Sequence, residues 1–130
     1  MGKKKKSAQK TTSVTEPLVI EESAVDDMRK ALEEIKEYDG VIGYIVRNST
    51  SATIELGDPT KIIDYAILSS SALETSEALS DSFSLGSVKS IIVEGKDVKM
   101  LSLEVKENRI SVFTEKKADC KKIMKKLYSL

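Results

Sequence analysis

The sequence predicts an α+β domain: a five-stranded antiparallel sheet with helices on both faces, in the order α-β-β-α-β-β-β-α. Three observations carry that expectation. Apolar residues recur at helical spacing in three separate stretches. Between these stretches lie five short strand-like runs, and the turns joining neighbouring runs are too short for a parallel crossover. The first run is apolar on both alternating faces, so the sheet needs cover on both sides.

In chain order, Ser23 with Asp26 resembles a capping box at the start of the first helix. Val25, Met28, Leu32 and Ile35 follow at three- and four-residue spacing, with Glu33, Glu34 and Lys36 on the other face. Asp39-Gly40 should end it, because glycine suits a left-handed cap. Val41–Arg47 reads as a strand; strict alternation puts Val41 and Ile45 on one face and Ile42, Tyr44 and Val46 on the other. A turn from Asn48 to Ser51 leads into Ala52–Leu56. Asp58-Pro59 opens the second helix with a cap residue and a proline at the first position, and this helix should run to about Ser82. Its sheet-facing sector is read as Ile62, Tyr65, Ala66, Ser69, Ala72, Leu73, Leu79 and Phe83. Val88–Glu94, Val98–Val105 and Arg109–Thr114 are further strands, separated by Gly95-Lys96-Asp97 and Lys106-Glu107-Asn108. A last helix from about Ala118 should turn Ile123, Met124, Leu127 and Tyr128 inward.

A chain of 130 residues has room for one core. With 5% aromatic residues and no Trp, that core must be mainly Ile, Val, Leu and Met. Lys3, Lys4, Lys5, Lys6 and Lys10 occupy the first ten residues with no acid among them. Residues 1–20 are therefore expected to be a flexible lysine-rich tail, and 21–130 the folded domain. The tail is a solvated segment or a weak contact with an anionic membrane. Nucleic acid is not expected, since the lysines are not interleaved with arginine or aromatic residues. Cys120 is the single cysteine, so no intrachain disulfide can form and a reducing compartment fits. No apolar run approaches the roughly 18–20 residues that span a bilayer. The charged start is followed by no apolar stretch, and Lys6 stands where myristoylation needs Ser or Thr. The expectation is a soluble, cytoplasmic protein, peripheral to a membrane at most.

The residue types point away from catalysis. There is no histidine, and one cysteine without histidine cannot form a Cys–His nucleophile. No glycine-rich phosphate loop is present. Asp26-Asp27 and Glu33-Glu34 are adjacent on a helix and do not face one another. No catalytic residue, cofactor or metal is expected.

Recognition is the better reading. Projected at about 100° per residue, Ile63 and Ile67 fall opposite the sheet-facing sector, in line with Ser70, Glu74 and Ala78. Two β-branched residues one turn apart on a polar face suggest a helix–helix seam. Val88, Ile91, Ile92 and Val93 form a β-prone run with only Lys89 as a guard, able to lie at a sheet edge. Pairing of this run with its twofold copy through Val88, Ser90 and Ile92 would bring two second helices together.

The stretches Asp39–Val46 and Ile62–Leu85 with its Leu-Gly ending, then Ser90–Glu94, Val98–Leu103, Ile110–Phe113 and Ala118-Asp119 before a last helix, resemble the roadblock/dynein light chain family. The resemblance covers about Val25 to Leu130. Two features depart from the family: Asn48-Ser49-Thr50 at the hairpin tip instead of the frequent Asp-Gly, and a second helix richer in Ser than the usual Ala-rich one. The resemblance implies a roadblock, profilin-like fold and a homodimer, or a heterodimer with a paralogue, joined through the family's third strand. It also implies an adaptor that regulates or scaffolds a Ras-like small GTPase without supplying a catalytic residue. Ile63, Ile67, Ser70 and Glu74 would contact the partner or the GTPase. The alternatives are a small-molecule or peptide sensor on a profilin-like scaffold, with Tyr44 and Arg47 as its polar groups, and a tether to an anionic surface through the lysines.

Overall fold

The computed structural model describes residues 12–15 and 22–130, with side chains from Asp27 onward. Six strands and three α-helices follow in the order β1 (Thr12–Thr15), α1 (Glu22–Lys36), β2 (Val41–Arg47), β3 (Ala52–Leu56), α2 (Ile62–Ser82), β4 (Ser90–Glu94), β5 (Val98–Val105), β6 (Asn108–Glu115) and α3 (Cys120–Tyr128). One antiparallel sheet takes the order β1-β3-β2-β6-β5-β4. The five expected strands and the expected element order are present. A sixth strand, β1, lies within the segment read as tail and pairs with β3 from Thr12↔Leu56 to Thr15↔Thr53. The capping box at Ser23 and the lysines at positions 3–6 and 10 lie outside the described side chains.

Helices do cover both faces. On one, α1 and α3 bury Leu32, Ile35, Ile123 and Leu127 against Tyr44, Leu101, Leu103, Ile110 and Val112. Three- and four-residue spacing on the helices meets two-residue spacing on the strands, so apolar stripes from both meet in one layer. Tyr44 Oη donates to Glu33 Oε2 at 2.9 Å. Burial, and then that hydrogen bond, push the Tyr44 phenol well above its usual range. Lys126 Nζ reaches Glu34 Oε1 at 2.8 Å and links the two helices. Its ammonium is held above its ordinary value by that hydrogen bond. On the other face α2 is the only helix among the described residues, with Ile62, Tyr65, Ala66, Leu68, Ala72 and Leu73 over Ile45, Leu56, Ile91, Met100 and Phe113. The Tyr65 ring stacks on Phe113, centroids 4.6 Å apart.

Three local expectations are corrected. Val41 packs with the Tyr44 layer and Ile42 with the Ile45 layer, the reverse of strict alternation. The cause is a bulge: Val41 faces Thr114 and Gly43 faces Phe113, leaving Ile42 as the extra residue. Tyr128 is exposed rather than inward, since it lies a residue past Leu127, the last buried position of α3. The fourth strand begins at Ser90, and Val88 is a half-buried lead-in packed beneath α2.

Two turns explain themselves chemically. Asn48 Oδ1 accepts from the backbone N–H of Thr50 and of Ser51, each at 2.9 Å, so asparagine organises the β2–β3 tip without Asp-Gly. α1 ends at Lys36, short of the expected Asp39-Gly40, and Gly40, with φ of +89°, instead shapes the turn into β2 and sits against Ala118.

Gly43 is where the β2–β3 pair is tightest. A Cβ there would strike the Glu55 carbonyl oxygen and lie 2.6 Å from Leu56 Cδ2. Gly43→Ala should destabilise the fold by about 1–3 kcal/mol, read as a lower urea midpoint at unchanged slope. An unchanged midpoint would refute the crowding. The Tyr44 phenol gives a second prediction. A raised folded-state value contributes stability that is full below the unfolded value of 10.0 and is lost as pH rises through the folded one. Stability should therefore fall on the alkaline side, and Tyr44→Phe should flatten that limb in denaturation curves.

Candidate functional site

The site centres on α2 and β4. At the entry to α2, Asp58 Oδ1 accepts from the Thr60 backbone N–H at 3.0 Å and from its hydroxyl at 2.7 Å. These two bonds, the hydroxyl first, hold the Asp58 carboxyl below its ordinary value. Pro59 opens a single 3₁₀ turn, Pro59–Lys61, which passes directly into α2.

Along its inner stripe α2 meets the sheet through small hydroxyls. Ser69 Oγ and Ser111 Oγ are 2.8 Å apart, and Ser111 Oγ donates to Ser102 Oγ at 3.2 Å, all three buried. The chain of hydroxyls satisfies itself, so the helix can sit close to the sheet without stranding a polar atom there. Farther along, the Ser80 hydroxyl donates to the Gly86 carbonyl and folds the chain back toward β4.

The outer side of α2 is open. Ile63 is 70% and Ile67 58% exposed; Ser70 and Glu74 are exposed as well. Arg47 Nη1 donates to Ser70 Oγ at 2.8 Å, so Ser70 also ties the helix to the end of β2. β4 ends the strand order, with Ser90 and Ile92 exposed on it. Arg109 reaches across from β6, its Nη2 donating to the Val88 carbonyl at 3.2 Å, and so positions the lead-in to that edge.

The seven residues predicted from sequence do not form one patch. Ile63, Ile67, Ser70 and Glu74 share the outward side of α2. Ile91 and Val93 turn toward α2, so Ser90 and Ile92 project from the opposite face of the sheet. Val88 packs inward. What joins the two groups is the backbone edge of β4. Tyr44 and Arg47 do not converge either: Tyr44 bonds Glu33 on α1, and Arg47 bonds Ser70 on α2, across the sheet from it. A cleft of about 340 Å³ beside Met28, Ala31, Lys106 and Lys126 contains neither.

Sequence reasoning missed a second apolar group. Leu79, Phe83 and Leu85, the first two expected in the core, are 57%, 68% and 71% exposed. Leu73 is the last α2 residue packed in the core. A 21-residue helix is about 31 Å long and an eight-residue strand spans roughly 27 Å, so phase alone does not guarantee burial at the end of α2. Comparing those lengths was the available signal. Leu79 and Leu85 line a cleft of about 320 Å³ with Ser76, Ser80 and Val88.

No family model matches the chain, and no curated protein matches its sequence. Among solved structures, the chain is similar to the crystal structure of a Roadblock/LC7 domain from Streptomyces avermitilis, with a TM-score of 0.61 at 13% identity. The match covers 78% of this chain and 85% of that one. The fold is that of a Roadblock/LC7 domain.

The hydroxyl chain predicts a coupled pair. Ser69→Ala and Ser111→Ala should each cost about 1–3 kcal/mol by leaving a buried partner unpaired, and the double variant less than their sum. Strict additivity in urea denaturation would show that the hydroxyls do not depend on one another.

Proposed function

We propose that this chain is a non-catalytic adaptor that works as a homodimer, or with a paralogue, and binds a Ras-like small GTPase to regulate or scaffold it. The observation that carries the dimer is the combination of a free β4 edge with uncovered apolar residues on both of its sides. Ile63, Ile67, Leu79, Phe83 and Leu85 lie on or just after α2, and Ile92 lies on the strand. An unpaired edge with such neighbours is ordinarily paired or covered. Antiparallel pairing of β4 with its twofold copy would satisfy the edge backbone, and the overhanging end of α2 would gain a surface to lie on.

The GTPase as partner rests on the sequence resemblance and on the likeness of fold. Such an adaptor acts by contact and needs no reactive group of its own. Among the described residues no helix is long and apolar enough to cross a membrane. Lys3, Lys4, Lys5 and Lys6 would add a weak attraction to an anionic membrane surface.

Ile67→Glu and Phe83→Ser should each shift the chain toward monomer in multi-angle light scattering. Retention of dimer mass in both would remove the α2 seam. A panel of Ras-like GTPases, loaded with GDP or a GTP analogue, should contain a member that co-elutes with the wild-type chain. If none binds in either state, the GTPase assignment falls while the dimer stands.

A further inference from the structure

The outward ridge of α2 is divided along its length. At about 100° per residue, Ile63, Ile67, Ser70, Glu74, Glu77 and Asp81 fall within roughly 40° of a single line. The first half of that line is two exposed isoleucines; the second is three exposed carboxylates. Among the described residues, some surface acids elsewhere form ion pairs, and others, such as Asp64 on α2 itself, do not. Glu33 and Glu55 meet Lys36, Glu34 meets Lys126, Asp39 and Glu115 meet Lys117, and Glu104 meets Arg109. Glu74, Glu77 and Asp81 are in none of these pairs. No lysine or arginine occurs between Ile62 and Ser82. Asp81 also sits in the last turn, at the negative end of the helix dipole, where a carboxylate is disfavoured.

A second α2 does not complement this ridge along its length. Laid side by side in the same direction, two ridges would oppose carboxylate to carboxylate. Laid in opposite directions, they would set isoleucines against carboxylates. Self-association can use the isoleucine half only where two helices cross, and it leaves the acidic half bare.

We infer that the ridge of α2 docks a partner segment that is apolar at one end and basic at the other. Its apolar side chains would take Ile63 and Ile67 in place of a second α2, the β4 edges staying paired, and its lysines or arginines would face Glu74, Glu77 and Asp81. The apolar and basic groups must be about 10 Å apart, the rise from Ile67 to Glu74. This inference rests on the adaptor reading in using the same helix, and adds the chemistry of what binds there.

The test uses the full chain and a labelled synthetic helical peptide of about 20 residues. The peptide has two leucines one turn apart near one end and three lysines on the same face toward the other. A control carries glutamates for the lysines. Anisotropy titrations should show the basic peptide binding and the acidic one failing. Affinity should fall as salt is raised, because exposed pairs are screened. Glu74→Gln, Glu77→Gln and Asp81→Asn combined should weaken binding on the order of tenfold. Because neutralising Asp81 relieves the clash with the dipole, this variant should keep its fold and its mass. Equal binding of both peptides, or a triple variant that binds as the wild type does, overturns the inference. So does binding that appears only after residues 1–11 are deleted, which would give the ridge to the chain's own lysines. A chain that is monomeric yet selects the basic peptide removes the homodimer and keeps this inference; a dimer indifferent to peptide charge does the reverse.

Discussion

Among the described residues one helix has to cover a whole face of the sheet, and it is narrower than that face. Six strands spaced at about 4.8 Å make a surface roughly 24 Å wide between its edge strands, while a helix with its side chains is about 10–12 Å across. The opposite face is shared by α1 and α3, and residues there such as Ile35, Leu103, Ile110, Val112, Ile123 and Leu127 are fully buried. Under α2 the outcome differs. Every α2 residue that contributes an apolar group to this layer is only partly buried, and β4 is the last strand of the sheet among the described residues. Ile63 and Ile67 are exposed because they lie on the side of α2 turned away from the sheet.

Sequence periodicity reached the architecture because both faces of the sheet are buried against helices, which forces long runs into register with their layers. It reached Ile63, Ile67 and Ile92 for the same reason: exposure follows the period once the buried side is known. It did not reach β1, because an edge strand of Thr, Ser, Val and Thr is held by backbone bonds that need no apolar pattern. The bulge at Val41–Gly43 is set by how β2 meets β6, and its one-residue slip exchanged the faces of Val41 and Ile42. Leu79 and Phe83 have the phase for burial and are nonetheless exposed, which phase alone does not foretell. The separation of Tyr44 from Arg47 was open to simple parity, since residues three apart on a strand point to opposite faces.

The two layers also differ in what holds them. The α1–α3 layer is closed by large aliphatic side chains and braced at its rim by ion pairs such as Lys126–Glu34. The α2 layer combines one aromatic stack, Tyr65 on Phe113, with the hydroxyl chain of Ser69, Ser111 and Ser102. Hydroxyls paired with one another fix geometry more than they add stability, since each bond replaces one made to water. The serine-rich character of α2 therefore favours a defined seat over a strong one.

A helix seated in this way is sensitive to what lies on its outer side. Whatever covers Ile63 and Ile67, or takes up the overhanging Leu79 and Phe83, removes from water apolar surface that the isolated chain leaves exposed. It also binds the folded form only, so its free energy is added to that of the fold by mass action. The acids on the outer ridge act in the opposite sense in the free chain, because Asp81 opposes the helix dipole with no basic residue in the same last turn. Docking of a cation there would reverse that term. The α2 layer thus gains stability when a partner docks on it. Recognition and the firm seating of α2 become a single equilibrium.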